Sequence, residues 1–260
     1  MSSESMLDKL YRYYQSQGIP AIGFNCKHRD ACCAVCAPGQ MVSVPESYVG
    51  AEYESGILPR LLFVSSDTND PKWLKDDPNM GTLREIRKIK WRDRNLPCHQ
   101  NPQGHWHQTI KMAQAILAPF VKERLGKVIE FNDFVSYFAN VTSTRCKDLS
   151  IGTKEGNPLM FGNCMGFLKG ELEVLRPDII VTQGTRARNA LWNMFQTPNG
   201  RVPMPGNPQH KAFYEIGQFS DGHNAIKIVA WHPCAHWKSG EKEKFMDWAA
   251  RSVRELIPGS

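Results

Sequence analysis

Leu61-Leu62-Phe63-Val64, followed at once by Ser65-Ser66-Asp67-Thr68-Asn69-Asp70, is the stretch that most constrains what this chain can fold into. The apolar run, with one aromatic and one β-branched residue, reads as a buried strand. The polar set behind it favours tight turns and helix caps, so the strand must stop there. A buried strand that breaks into a polar turn presents side chains at the carboxyl edge of a sheet, where open α/β sheets build their sites. The pattern recurs: Asn140 follows a second apolar run, Thr182-Gln183-Gly184-Thr185 a third, and His232-Pro233 a fourth. Strands alternating with helices predict a three-layer α/β/α fold around a central, mostly parallel four-stranded sheet.

The chain has 260 residues, enough for one large α/β domain with a full core or for two small ones. The net charge of +6 suits a protein that meets phosphates on one face, and it equally suits a basic protein that binds no nucleic acid. No apolar run approaches the ~20 residues needed to span a bilayer. The start, Met1-Ser-Ser-Glu-Ser, lacks the basic, apolar and cleavage regions of a secretory signal. A cytoplasmic location is therefore expected, where eight cysteines point to metal ligands or plain thiols rather than disulfides.

Periodicity predicts helices over about 5–17, from His105 to Val121, over about 165–175, from Thr185 to Trp192 and over about 241–256. Thr185 is the expected cap of the fourth, and Pro119 predicts a kink or early stop in the second. Strands are expected at 134–141, 179–182 and 226–230, with a further one at 212–216 inside a Pro/Gly-rich loop over 196–223. The stretch after Cys36, through Val49 to Pro59, reads as a linker. Residues 71–104 carry Lys72, Lys75, Arg84, Arg87, Lys88, Lys90, Arg92 and Arg94 with Trp73 and Trp91 interleaved. Such a segment can grip a nucleic-acid backbone and stack on bases, or can be a solvated connection with a short helix at 82–90. His105 and His107 fit a metal pair less well than the polar flank of a helix start.

Cys26, Cys32, Cys33 and Cys36 stand within eleven residues, a density that suits zinc or an iron–sulfur cluster. The plainer alternative is a loop with a few buried thiols. A carboxylate, an asparagine and a histidine at neighbouring strand ends form a set able to hydrolyse an N-glycosidic bond. The carboxylate stabilises an oxocarbenium-like sugar and orients water, and a histidine or backbone donor binds the charge gathering on the leaving base. Asparagine offers a donor and an acceptor to a pyrimidine edge, once the base has left the stack for a snug pocket.

These residues resemble the uracil-DNA glycosylase superfamily, in particular its iron–sulfur branches. The likeness runs from about Cys26 to His236. It is most specific in Asn140-Val141, Cys146, Cys164, the run from Gly170 through Leu175-Arg-Pro-Asp-Ile-Ile-Val-Thr-Gln to Gly184, and His232-Pro233. The resemblance implies one glycosylase-like domain over residues 1–260 with a cysteine-rich segment at about 20–40, a monomer acting on DNA, and a [4Fe-4S] cluster. It implies catalytic roles for Asp67, which would orient water, Asn140, which would read the base, and His232, which would support the leaving group. Asp70 is the fallback for Asp67. Ser66, Asn69, Thr182 and Gly184 would line the substrate site. Cys146 and Cys164 would hold the cluster with Cys26 and Cys32, or with Cys33 and Cys36; the Cys26-Lys-His28 pattern favours the first pair. Cys98 and Cys234 read as buried thiols.

The first motif departs from the family, where Gly-Glu-Ala-Pro-Gly or Gly-Gln-Asp-Pro-Tyr is usual. Here Ser66 takes the place of the Glu, and the flanking Gly and Pro are missing. That alters how closely the backbone approaches base and sugar. The expected substrate is a modified, phage-type cytosine, with plain uracil as the alternative. Two other classes stay open: a non-catalytic DNA-binding relative, and a zinc-stabilised regulatory protein built on the 26–36 cysteines.

Overall fold

The computed structural model describes residues 5–19, 26–43, 47–66, 102, 104–151, 156–191, 194–195, 200–206, 212–232 and 240–257. Met6–Ser16 forms α1, with Ser5 as its cap accepting from the Asp8 amide. The short helix α2 spans Arg29–Ala34. Strands β1 (Met41–Ser43), β2 (Tyr48–Val49) and β3 (Leu61–Ser65) follow, then the long helix α3 (His105–Phe120). After it come β4 (Phe138–Thr142), β5 (Cys146–Asp148), α4 (Pro158–Leu175) and β6 (Ile179–Gln183). The chain continues through α5 (Thr185–Ala190), β7 (Arg201–Pro203), β8 (Phe213–Gln218), β9 (Asn224–Ala230) and α6 (Glu241–Leu256).

The main sheet has seven strands in the order β2-β4-β3-β6-β9-β8-β7, not the four expected. Its centre, β4-β3-β6-β9, is parallel, and β2, β8 and β7 add antiparallel edges. The central four carry the continuous apolar runs that burial on both faces demands. The edges escaped expectation because β2 is two residues long within the supposed linker, and β7 is three exposed residues inside the supposed loop. Residues Phe131–Tyr137 coil into a 3-10 turn, so the strand carrying Asn140 starts later than its apolar pattern indicates. Gly184, with φ of 102°, takes the cap position of α5 that Thr185 was expected to hold. Pro119 falls in the last turn of α3, which runs straight into a π turn at Val121–Leu125. The basic segment expected over 71–104, as far as residue 101, the helix at 82–90 and the buried thiols Cys98 and Cys234 lie outside the described residues.

Side-chain alternation divides the core. Leu61, Phe63, Phe138, Ile179, Val181, Ile226 and Ile228 pack beneath α3 and α6, whose Ile110, Ile116, Leu117, Phe245 and Val253 are buried against them. Leu62, Val64, Ala139, Val141 and Ile180 meet α1, α4 and α5 on the other face. Helix α1 reaches α4 closely because Gly170 has no side chain; a Cβ there would overlap the Tyr13 ring. Among the described residues, no helix is long and apolar enough to cross a membrane.

Candidate active site and cysteine centre

Parallel strands all deliver their last residues to one edge. Here that edge receives Ser65 and, just past β3, Ser66, then Gln183 of β6 with the following Gly184 and His232 beyond β9, with Asn140 set back at the middle of β4. Ser66, Gly184 and His232 converge: a Cβ added to Gly184 would stand 3.5 Å from Ser66 Oγ and 3.7 Å from His232 Cβ. The neighbours leave van der Waals room for a Cβ, but φ of 102° is a conformation that favours glycine. Ser66 is buried, and its hydroxyl has no hydrogen-bond partner among the described residues.

On the α3 face a polar group is built around Ser65. Its Oγ donates to Gln183 Oε1 at 2.8 Å and accepts from Asn140 Nδ2 at 2.9 Å. Gln183 Nε2 donates to Thr109 Oγ1 at 2.9 Å, and Thr109 Oγ1 donates to the His105 carbonyl at 2.9 Å. His105 Nε2 lies 3.4 Å from Ser65 Oγ, and the His105 and His232 rings are 5.1 Å apart. The expected base-reading Asn140 and leaving-group His232 are linked through Ser65 and His105, while Ser66 and Gly184 adjoin His232. Thr182 is fully buried and alternates onto the opposite face from Asn140 and Gln183. Asp67, Asn69 and Asp70 lie outside the described residues; Ser66 is the last residue described on that strand.

His105, Thr109 and Gln183 were missed as site residues. A helix that follows a parallel strand begins at that strand's carboxyl edge, so topology alone would bring His105, the first residue of α3, to the site. His107 instead packs against Phe131, with ring centroids 4.7 Å apart and the rings tilted by 40°.

Burial, with the adjacent His232, holds His105 down at about 3, well below the ordinary imidazole range. The ring is only partly covered, but Nδ1 is sealed from solvent. The unfolded chain, with an imidazole near 6.5, takes up a proton that the folded chain refuses. Stability is thus complete above about pH 6.5 and falls as pH drops towards 3, by at most about 1.4 kcal/mol per pH unit. Urea unfolding midpoints between pH 7 and 5 should decline less steeply in His105→Asn than in the unaltered protein. Parallel declines would mean that His105 is protonated as readily in the fold as outside it.

The cysteines gather on the other side of β4. Cys26 precedes α2, Cys32 sits on α2, Cys146 on β5 and Cys164 on α4, and all four are buried. The Cys146 thiol is hydrogen-bonded with both Cys32 and Cys164; these contacts pull Cys32 down to about 6, lower Cys164 and raise Cys146 itself. Burial raises Cys26, whose charged neighbours include Cys164 and Cys32. Nitrogen donors point at three of the sulfurs: His28 N–H to Cys26 at 3.3 Å, Asn163 Nδ2 to Cys32 at 3.4 Å and Arg145 N–H to Cys164 at 3.2 Å. Cys33 and Cys36 face thioethers instead, Met41 Sδ at 3.7 Å and Met160 Sδ at 3.9 Å. Among the described residues, no group of three or more His, Cys, Asp or Glu is placed to hold a metal ion. The chemistry of the donors is that of a thiolate-ligated group: Cys32 and Cys164 are lowered towards thiolate and receive N–H donors that stabilise charge on sulfur.

Compared with known proteins, the chain matches no family model and no curated sequence. The reading of its function rests on this geometry and on the motifs.

Proposed function

We propose that this protein is a DNA glycosylase that hydrolyses the N-glycosidic bond of a flipped-out, non-standard pyrimidine and leaves an abasic site. The observation that carries the proposal is the convergence of Ser66, Gly184 and His232 at the carboxyl edge of four parallel strands, with Asn140 bonded to the neighbouring Ser65, next in sequence to Asp67. Asn140 reads the base through its amide. His232 supports negative charge on the departing ring, while Asp67 stabilises the sugar cation and orients water. Ser66 and Gly184 form a small-residue floor that lets base and sugar approach the backbone. The basic segment after β3 supplies phosphate contacts that hold the strand while the base is extruded.

The substrate we favour is a modified cytosine of the kind found in phage DNA, which assigns the enzyme to defence rather than to repair of uracil. What supports this is the first motif: Ser66 stands where the iron–sulfur branch of the resembled superfamily has a carboxylate, and the permissive Gly and rigid Pro around it are gone. Cys26, Cys32, Cys146 and Cys164 would hold a [4Fe-4S] cluster, which supplies structural cross-linking there rather than a step of the reaction.

The test is base release from single- and double-stranded DNA containing uracil, hypoxanthine or modified cytosines. Abasic product from a modified cytosine, abolished or reduced at least ~100-fold in Asp67→Ala, is the expected result. Product from uracil alone would make the protein a repair glycosylase with an unusual first motif. DNA binding without product from any base would make it a non-catalytic relative.

A further inference from the structure

The hydrogen bonds behind Asn140 run in one direction only, and a backbone carbonyl sets that direction. A carbonyl cannot donate, so the Thr109 hydroxyl, 2.9 Å from the His105 oxygen, spends its proton there. Thr109 Oγ1 can then only accept from Gln183, which turns the Gln183 Nε2 towards Thr109 and its Oε1 towards Ser65. Ser65 must give its one proton to that oxygen at 2.8 Å. Everything else that meets Ser65 Oγ has to arrive as a donor: Asn140 through Nδ2 at 2.9 Å and His105 through Nε2–H. The two ends of each amide, alike in shape, are thereby told apart. Thr109 and Gln183 are fully buried and Ser65 and Asn140 nearly so, leaving little water to substitute for a missing partner.

We propose that Thr109, Gln183 and Ser65 are a specificity relay that fixes the orientation of the Asn140 amide and so decides which pyrimidine edge the protein reads. This rests on the reading of Asn140 as the base-contacting residue. A uracil-type ring shows an N3–H donor beside an O4 acceptor; a cytosine-type ring shows an N3 acceptor beside an N4–H donor. The two edges are the same pair in exchanged order, so an asparagine locked one way round welcomes one and meets the other donor-to-donor. The three relay residues touch no base; they are positioning residues.

Thr109→Val keeps the shape and removes the hydroxyl. Gln183 can then turn its Nε2 to Ser65, Ser65 turns its proton to Asn140 Oδ1, and the Asn140 amide reverses. Single-turnover release from uracil- and modified-cytosine-containing DNA should show the ratio of the two rates shifted by about tenfold or more in Thr109→Val. Thr109→Ser, which restores the hydroxyl, should return the original ratio. Gln183→Glu accepts at both ends, still takes the Ser65 proton, and should also keep the ratio. An unchanged ratio in Thr109→Val, or equal shifts in Thr109→Val and Gln183→Glu, would overturn the relay. The Asn140 side-chain amide signals in a ¹⁵N–¹H spectrum give a readout that needs no activity. They should move in Thr109→Val and not in Thr109→Ser; if they do not move, the relay fails even where base release succeeds. If no base is released by the unaltered protein while the signals move as expected, only the glycosylase reading fails.

Discussion

Replacing Glu171 by Ala should destabilise the protein by about 3–5 kcal/mol, far more than any surface ion pair would cost. Glu171 is fully buried on α4, and its Oε1 lies 3.0 Å from Nη1 of Arg145, itself only 2 % exposed. Tyr14 donates to the same carboxylate from α1, and Ser47 joins at 3.4 Å. Arg145 also reaches the Thr142 carbonyl and, at 2.9 Å, the Thr142 hydroxyl at the end of β4. One ion pair thus ties α1, α4 and the site-bearing strand together, and the Arg145 amide carries the tie to Cys164. Removing the carboxylate leaves a guanidinium in a dry interior without its ion-pair partner, which costs more than the pair contributed. Glu171→Gln, which keeps the hydrogen-bonding shape without the charge, should fall between the unaltered protein and the alanine variant. Urea unfolding measures all three. A loss below about 1 kcal/mol for Glu171→Ala would mean that water reaches the pair.

The strand edge was legible because four apolar runs each end in a polar turn, a pattern that burial on both faces imposes. Asn140, Gly184 and His232 could be placed on that edge from sequence, since the carboxyl ends of parallel strands lie together whatever the strand order. The edge strands were not legible. Two or three residues carry no period, and Tyr48–Val49 is a strand only because β4 offers it open hydrogen-bonding groups. The relay behind Asn140 was hidden for another reason. Thr109 in a helix and Gln183 at a strand end look like ordinary polar residues, and only the crossing of α3 over β6 makes them partners. Arg145 and Glu171 were equally silent, because sequence marks a charged residue as exposed unless its buried partner is known.

Replacing Cys146 by Ala should strip the protein of iron and of the broad visible absorbance of a cluster, whereas Cys33→Ala and Cys36→Ala should keep both. The difference follows from what each sulfur faces. Cys146 lies between Cys32 of α2 and Cys164 of α4 and hydrogen-bonds with both. Cys32 and Cys164 receive N–H donors as well, as does Cys26, and such donors favour ligand thiolates. Cys33 and Cys36 meet Met41 and Met160, weak partners that offer no stabilisation to a thiolate, and burial pushes Cys36 up to about 11. Anaerobic purification followed by iron, sulfide and zinc analysis checks the set. Colourless protein with stoichiometric zinc would replace the cluster by a zinc centre, and iron lost in Cys33→Ala or Cys36→Ala would transfer the ligand role to that pair. Because β5 joins β4 through Arg145 and the Thr142 contacts, loss of the ligand at Cys146 should also loosen the end of the strand that carries Asn140. Faster hydrogen exchange of the β4 amides in Cys146→Ala, with the β8–β9 amides unchanged, is the expected signature of a structural rather than a catalytic centre.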